Sequence, residues 1–264
     1  MRADERVRYY SSYDEDMIES AYQAKTVPQG YRWVRRDPGY KILAALSYGT
    51  ALVLSSVWCR LFLHLRIRGR KTLRAADTSR GAFIFGNHTQ PVGDVFIPAL
   101  AAMPHRIYTI VSPANLGIPI IGRILPYLGA LPIPSGIADM RSFTAAVGER
   151  AADGNFIVVY PEAHVWEYCT EIRPMAESAF SFPIKEELPS FAMTTTYQTR
   201  RHGKRPAAVV YIDGPFYPNN DLPPRQRARE LGERIQSAMR ARAALSDAQY
   251  IRYIKKEPTD EILQ

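Results

Sequence analysis

The stretch "FIFGNHTQPVGD", residues 83–94, holds the residues of this chain best suited to chemistry. An imidazole titrates near neutral pH and can take the proton of an attacking hydroxyl. A carboxylate on its other ring nitrogen fixes the tautomer and stabilises the imidazolium that forms. His88 is therefore the candidate base, and Asp94, six positions on across Pro91 and Gly93, its candidate orienter. A second stretch, "PEAHVW" after the apolar run "NFIVVY", adds Glu162 and His164. Glu162 suits a hydroxyl ligand, and His164 is open between a substrate contact and a structural residue. His64, His105 and His202 read as structural or exposed. The sequence has no Gly-x-Ser-x-Gly elbow, so a base acting directly on the attacking hydroxyl is preferred to a covalent serine intermediate.

Such side chains need a scaffold, and the pattern around them supplies one. Short apolar runs ("LFLHLRIRG", "GAFIFGN", "HRIYTIVSP", "ALPI", "NFIVVYPE", "SFAMTTTY", "AAVVYIDG") read as strands. Helix patterns alternate with them at residues 91–103, 115–127, 138–152 and 224–245; in the last, Leu231, Ile235 and Met239 recur every four residues. "YQTRRHGKRP" reads as a hairpin turn. The alternation predicts an α/β domain, a mixed sheet flanked by helices, with ligands at the loops leaving the carboxyl ends of strands. The loops of His88 and Glu162 are two of these. If Pro91 opens a helix, Asp94 can point back at His88, and backbone N–H groups at that helix start could stabilise an oxyanion.

At 264 residues and 46% apolar the chain is long enough for one substantial core. A net charge of +8 fits an anionic partner. Cys59 and Cys169 are too few for a disulfide framework and read as reduced, in a cytosolic compartment. The first 41 residues mix acids and bases without the apolar run of a secretory signal. Residues 42–59 carry no charge, which gives about 27 Å of helix, borderline for a hydrocarbon core of roughly 30 Å. Basic residues flank both ends, and Tyr31, Trp33 and Tyr40 accompany arginines, which favours a helix lying in one leaflet. A buried helix of a soluble core is the other reading. The expected organisation is a polar, Tyr-rich segment at 1–40, the apolar membrane-associated helix at 41–60, and the site-bearing domain at 61–264.

In order along the chain, "FGNHTQPVGD", "LGALPIP", "VVYPEAH" and "LPSFAMTTTY" resemble the four blocks of the glycerolipid acyltransferases typified by lysophosphatidate acyltransferase. The resemblance spans roughly residues 61–245. It implies transfer of a fatty acyl group from a thioester donor, acyl-CoA or acyl carrier protein, to a hydroxyl of a lysoglycerolipid such as 1-acylglycerol-3-phosphate. His88 and Asp94 would be catalytic; Asn87, Glu162, His164 and Arg173 would bind substrate; no metal or further cofactor is expected. The implied partners are membrane lipids, the lysolipid acceptor and the thioester donor, not nucleic acid, at the cytoplasmic face of a membrane. This chain departs from the family in places. Five residues separate His88 from Asp94, one more than usual. Ala163-His164-Val165 replaces Gly-Thr-Arg, and Pro134-Ser135 stands where an Arg usually closes the second block. Arg173 and Arg123 are the nearest cations for an acceptor phosphate, while His164 and Trp166 would suit a neutral or sugar-bearing headgroup.

Two alternatives come from other classes. In a metal-dependent hydrolase, His88, Asp94, Glu162 and His164 would ligate a cation, although no His-x-x-x-His spacing is present. In a non-catalytic lipid-surface binding protein, the basic run Arg225, Arg227, Arg229, Arg234, Arg240, Arg242, Lys255 and Lys256 would contact the lipid.

Overall fold

Apolar runs buried on both faces mark strands covered by helices on each side. The computed structural model places such runs at the centre of one sheet. It describes residues 6–18 and 24–256, without the side chains of Pro224 and Arg225. The remaining parts of the expected segments 1–40 and 61–264, and the Arg225 side chain, lie outside the described residues.

In chain order the elements begin with β1 (Arg6–Tyr10), α1 (Pro38–Phe62), β2 (Arg66–Arg68), α2 (Arg70–Ala75), β3 (Ala82–Gly86) and α3 (Gly93–Ala102). Next come β4 (Ile107–Val111), a 3-10 turn at Pro113–Gly117, α4 (Ile121–Ile124), β5 (Ala130–Pro132), α5 (Ile137–Ala152) and β6 (Phe156–Val159). A 3-10 turn at Glu177–Phe180, α6 (Ser181–Glu186), β7 (Ser190–Gln198), β8 (Ala207–Phe216), α7 (Pro224–Ala243) and β9 (Ile251–Lys255) follow.

The main sheet has seven strands in the order β2-β8-β7-β3-β6-β4-β5. From β7 across to β5 the neighbours are parallel; β8 returns antiparallel to β7 and β2 lies parallel to β8 at the edge. This is the mixed, helix-flanked sheet that the alternation predicts. Phe83, Phe85, Ile157 and Val159 pack with Phe143 and Val147 of α5 and with Leu231, Ile235 and Met239 of α7. Ala82, Ile84, Phe156 and Val158 pack with Cys59 and Leu63, Leu73, and Ile97 and Leu100, from the α1, α2 and α3 side. The four-residue repeat read in α7 is its buried stripe.

Some elements differ from the pattern reading. The helix expected over 115–127 is a 3-10 turn followed by the short α4, because Pro113, Pro119 and Pro126 deny it a continuous i to i−4 ladder. The strand expected over 61–69 shrinks to Arg66–Arg68, since α1 runs on to Phe62. β1 and β9 pair in parallel, Arg6 opposite Ile251, a contact between distant chain segments that no local pattern announces.

Asp37 caps α1, its side chain accepting the Tyr40 N–H at 2.9 Å, with Pro38 in the first turn. A stripe at helical spacing, Ala44, Tyr48, Leu52, Ser55, Cys59 and then Leu63, faces the protein. The opposite face is apolar and open: Ile42, Leu46, Val53, Leu54, Val57 and Leu61 are each more than half exposed. Only 17% of the most apolar window is buried, so α1 is not a core helix; by length and composition it is apolar enough to cross a membrane. The segment before it belongs to the core. Val27 and Trp33 are buried, Trp33 Nε1 donating to the Pro132 carbonyl at 2.8 Å and the Val27 N–H to Ser135 Oγ at 3.2 Å.

Three arginines of the basic run on α7 pair with carboxylates of the fold. Arg229 pairs with Glu233, Arg234 with Glu230, and Arg242 with Asp213 through two bonds of 2.8 and 2.6 Å.

Candidate active site

β3 and β6 are parallel neighbours, Phe85 opposite Val159, so the loops that follow them leave the same sheet edge side by side. Gly86 ends β3 against the ring of Tyr160. A Cβ at that position would lie 2.6 Å from the ring, so the close approach requires glycine. The Tyr160 ring in turn lies flat on the His88 imidazole, with centroids 4.4 Å apart and planes 18° from parallel.

His88 Nδ1 is 2.8 Å from Asp94 Oδ2. The same oxygen accepts the backbone N–H groups of Thr89 and Gln90, each at 2.8 Å. An oxygen held by three donors fixes the ring that faces it. With the carboxylate on Nδ1, the neutral ring carries its proton there and leaves Nε2 as the proton acceptor. The imidazole keeps 20% exposure while Asp94 keeps 2%. Asp94 Oδ1, also buried, has no hydrogen bond among the described residues; the positive end of α3 offsets its charge.

The five intervening residues are absorbed in the loop. α3 opens at Gly93 rather than at Pro91, and the Asp94 N–H bonds back to the Gln90 carbonyl at 3.0 Å, which turns the carboxylate toward His88. At the start of that helix, where the sequence placed oxyanion donors, the N–H groups of Asp94 and Val95 bond to the carbonyls of Gln90 and Val92.

Pro98 lies inside α3. It has no N–H for the carbonyl four residues back, that of Asp94. The Tyr160 hydroxyl donates to this carbonyl at 2.6 Å. Burial, and then the charge of Asp94, push that hydroxyl well above its ordinary pKa, so it stays a donor. One side chain thus stacks on the base and anchors the helix turn of its partner. Sequence reading passed over Tyr160. The available signal was a proline in the helix after the His/Asp pair, which requires an outside donor.

Three of the other expected site residues, Asn87, Glu162 and Arg173, are bonded into the fold around His88. The Asn87 amide exchanges two bonds with the backbone of Thr195 in β7, at 3.0 and 2.8 Å. Glu162 Oε2 accepts the His88 N–H at 3.0 Å and Arg173 Nη2 at 2.8 Å, and Oε1 accepts the Arg173 N–H at 3.0 Å. Arg173 and Glu162 side chains are 1% and 0% exposed. Burial raises the Glu162 carboxyl above its ordinary value, opposed first by the Arg173 guanidinium and then by the two backbone donors. Arg173 Nη2 also donates to the His164 carbonyl, and its cation rests 4.8 Å from the Trp166 ring centre.

Glu162 and Arg173, expected as substrate contacts, are buried and face each other, as a buried charge needs a charged partner. His164 turns to Asp16, Nδ1 to Oδ1 at 2.8 Å, and Trp166 donates through its ring nitrogen to the Glu15 carbonyl at 3.0 Å and through its backbone to that of His88 at 3.0 Å. Among the described residues no group of three or more His, Cys, Asp or Glu is gathered as a metal site would need. The four side chains of the metal-hydrolase alternative are thus not assembled around one point.

No protein-family model matches the sequence, and no curated protein matches it. Among solved structures the chain is similar to the 1-acyl-sn-glycerophosphate (LPA) acyltransferase PlsC from Thermotoga maritima. The identity is 13%, with 82% of this chain and 87% of that one covered and a TM-score of 0.53. The two share a fold.

Proposed function

We propose that the chain is a membrane-associated acyltransferase that esterifies a hydroxyl of a lysoglycerolipid, such as 1-acylglycerol-3-phosphate, from a fatty acyl thioester. The observation that carries this reading is the contact of His88 Nδ1 with Asp94 Oδ2 at 2.8 Å on a ring that keeps solvent access. His88 Nε2 takes the hydroxyl proton as oxygen attacks the thioester carbonyl. The new C–O bond forms, the C–S bond breaks, and the imidazolium returns the proton to the departing thiolate. The likeness in fold to an LPA acyltransferase supports the reaction class.

Asn87, Glu162 and Arg173 act through the backbone of His88 as positioning residues. The Arg173 cation is buried and paired with Glu162 through Nη2, which leaves Arg123, exposed on α4, as the solvent-facing one of the two cations singled out in the sequence for a phosphate on the acceptor. The direct test is the purified protein with acyl-CoA or acyl carrier protein donors and a panel of lysolipids, with products identified by mass spectrometry. Diacyl product formed by the parent and lost in a folded His88 variant supports the proposal; folded protein that acylates no acceptor overturns it.

In the same assay Tyr160→Phe keeps the ring on His88 but leaves the Asp94 carbonyl without its donor. The expected outcome is a loss of about 1–3 kcal/mol of stability, with kcat lowered and KM little changed. Denaturant titration and steady-state kinetics check it; parent-like values in both would show the bond to be idle.

The open face of α1 is the proposed lipid contact, with the helix in one leaflet and both flanks on the cytoplasmic side. Deleting residues 1–60 cannot test this, because Trp33 and Val27 are core residues. Leu46→Asp with Leu54→Asp leaves the buried stripe intact and is expected to weaken vesicle binding in a sedimentation assay. Labelling of the two flanks from opposite sides would establish a spanning helix instead.

A further inference from the structure

The segment between β4 and β5 presents isoleucines to solvent in a conformation that works against them. Ile120 is 75% exposed, Ile121 53% and Ile124 42%. Ile120 has φ +65° and ψ −57°. The N–H of Ile121 donates across it to the Pro119 carbonyl at 2.7 Å. That geometry is the positive-φ γ-turn, rare and strained, and a β-branched residue is among the least suited to it. Glycine would hold the turn without strain. The fold therefore keeps at this tip a side chain that strains the backbone and exposes apolar surface to water, two unfavourable terms that a water-facing loop does not explain.

The position of the tip says what would cover it. The loop leaves the carboxyl end of β4, which is parallel to β6 and, through it, to β3. It thus departs from the same sheet edge as the loops of His88 and Glu162. Its far end is fastened to α1: the Tyr40 hydroxyl donates to the Pro126 carbonyl at 2.8 Å, and the Tyr40 and Tyr127 rings lie 5.0 Å apart. Directly after Tyr40, the start of α1 exposes Ile42, Leu43 and Leu46. Exposed Arg123 sits within the tip, and exposed Lys41 and Arg35 lie beside Tyr40, so the apolar patch has a basic rim.

We propose that Ile120 and Ile121, with Ile124 behind them, form a second membrane-inserting element, seated in an acidic phospholipid surface beside α1. The inference rests on the membrane reading of α1 but is separable from it. The γ-turn holds the isoleucines outward, Arg123 takes the lipid phosphates, and the loop fixes the sheet edge of His88 against the lipid that supplies the acceptor.

The test uses the full chain and vesicles of phosphatidylcholine, with and without phosphatidylglycerol. Ile120→Gly removes the side chain and relieves the turn. It is expected to raise or keep the melting temperature while weakening vesicle binding about tenfold, with a further loss when Ile121→Asp is added. Hydrolysis or transfer with water-soluble short-chain substrates should be unchanged. Vesicle binding equal to the parent in both variants, while Leu46→Asp with Leu54→Asp lowers it, overturns the proposal and leaves α1 as the membrane contact. If none of these variants alters binding, both readings fail. A parent that self-associates in light scattering, with Ile120→Gly monomeric and still bound to vesicles, overturns the proposal in favour of a second copy covering the patch.

Discussion

Replacing His88 with alanine is expected to lower acyl transfer by about 10²–10⁴-fold, the range of a positioned general base, without unfolding the protein. The imidazole is partly exposed, and its removal leaves no large cavity in the sheet core. Asp94→Asn is expected to lose about 10²-fold or more in turnover and some stability as well. The reason lies in the three donors converging on Oδ2, from His88, Thr89 and Gln90. An asparagine that presents its oxygen to them turns its NH₂ into the buried space of Oδ1, which offers no acceptor among the described residues. Flipped, it sets NH₂ against three donors. In either orientation the charge that stabilises the imidazolium is gone. Circular dichroism and thermal melts would establish that the variants are folded. Near-parental turnover in folded His88→Ala would sink the assignment of the base.

Arg173→Met should give the largest loss of stability, about 3–5 kcal/mol, because it strands the Glu162 carboxylate in a site with 0% exposure. Activity should fall with it, since Glu162 holds the His88 N–H and Arg173 Nη2 reaches the carbonyls of His88 and His164. Adding Glu162→Leu should recover part of the stability, as removal of both charges leaves neutral groups unpaired, the N–H groups of residues 88 and 173 and the His164 carbonyl, and no stranded charge. Denaturant unfolding of the single and double variants measures the coupling. If Arg173→Met unfolds like the parent but raises the acceptor KM alone, Arg173 contacts the acceptor headgroup and the buried pair is not structural.

What the sequence by itself determined is local or periodic. The α/β alternation, the buried stripe of Leu231, Ile235 and Met239, the hairpin between β7 and β8, the apolar length of α1 and the candidate pair of His88 and Asp94 depend on spacing within one element or one loop. Such spacing is set by the repeat of helix and strand. Even so, the pairing of His88 with Asp94 across five residues needed the helix start at Gly93 and the bond from Asp94 back to Gln90 to be seen.

Only the tertiary structure decided which way the remaining polar side chains turn. Glu162 and Arg173 have the residue types of substrate contacts and stand near the site in sequence, yet they lie buried against each other, since two charges removed from water are stable only as a pair. Asn87 reaches Thr195, and Tyr160 reaches the carbonyl that Pro98 leaves free, through strand neighbours far apart in the chain. Ile120 was one more apolar residue in an expected helix; its strained outward turn appears only once the prolines around it have broken that helix. Composition and spacing state which groups a chain carries, but whether a polar or apolar group meets water, substrate or a buried partner is set by packing between segments that no local pattern records.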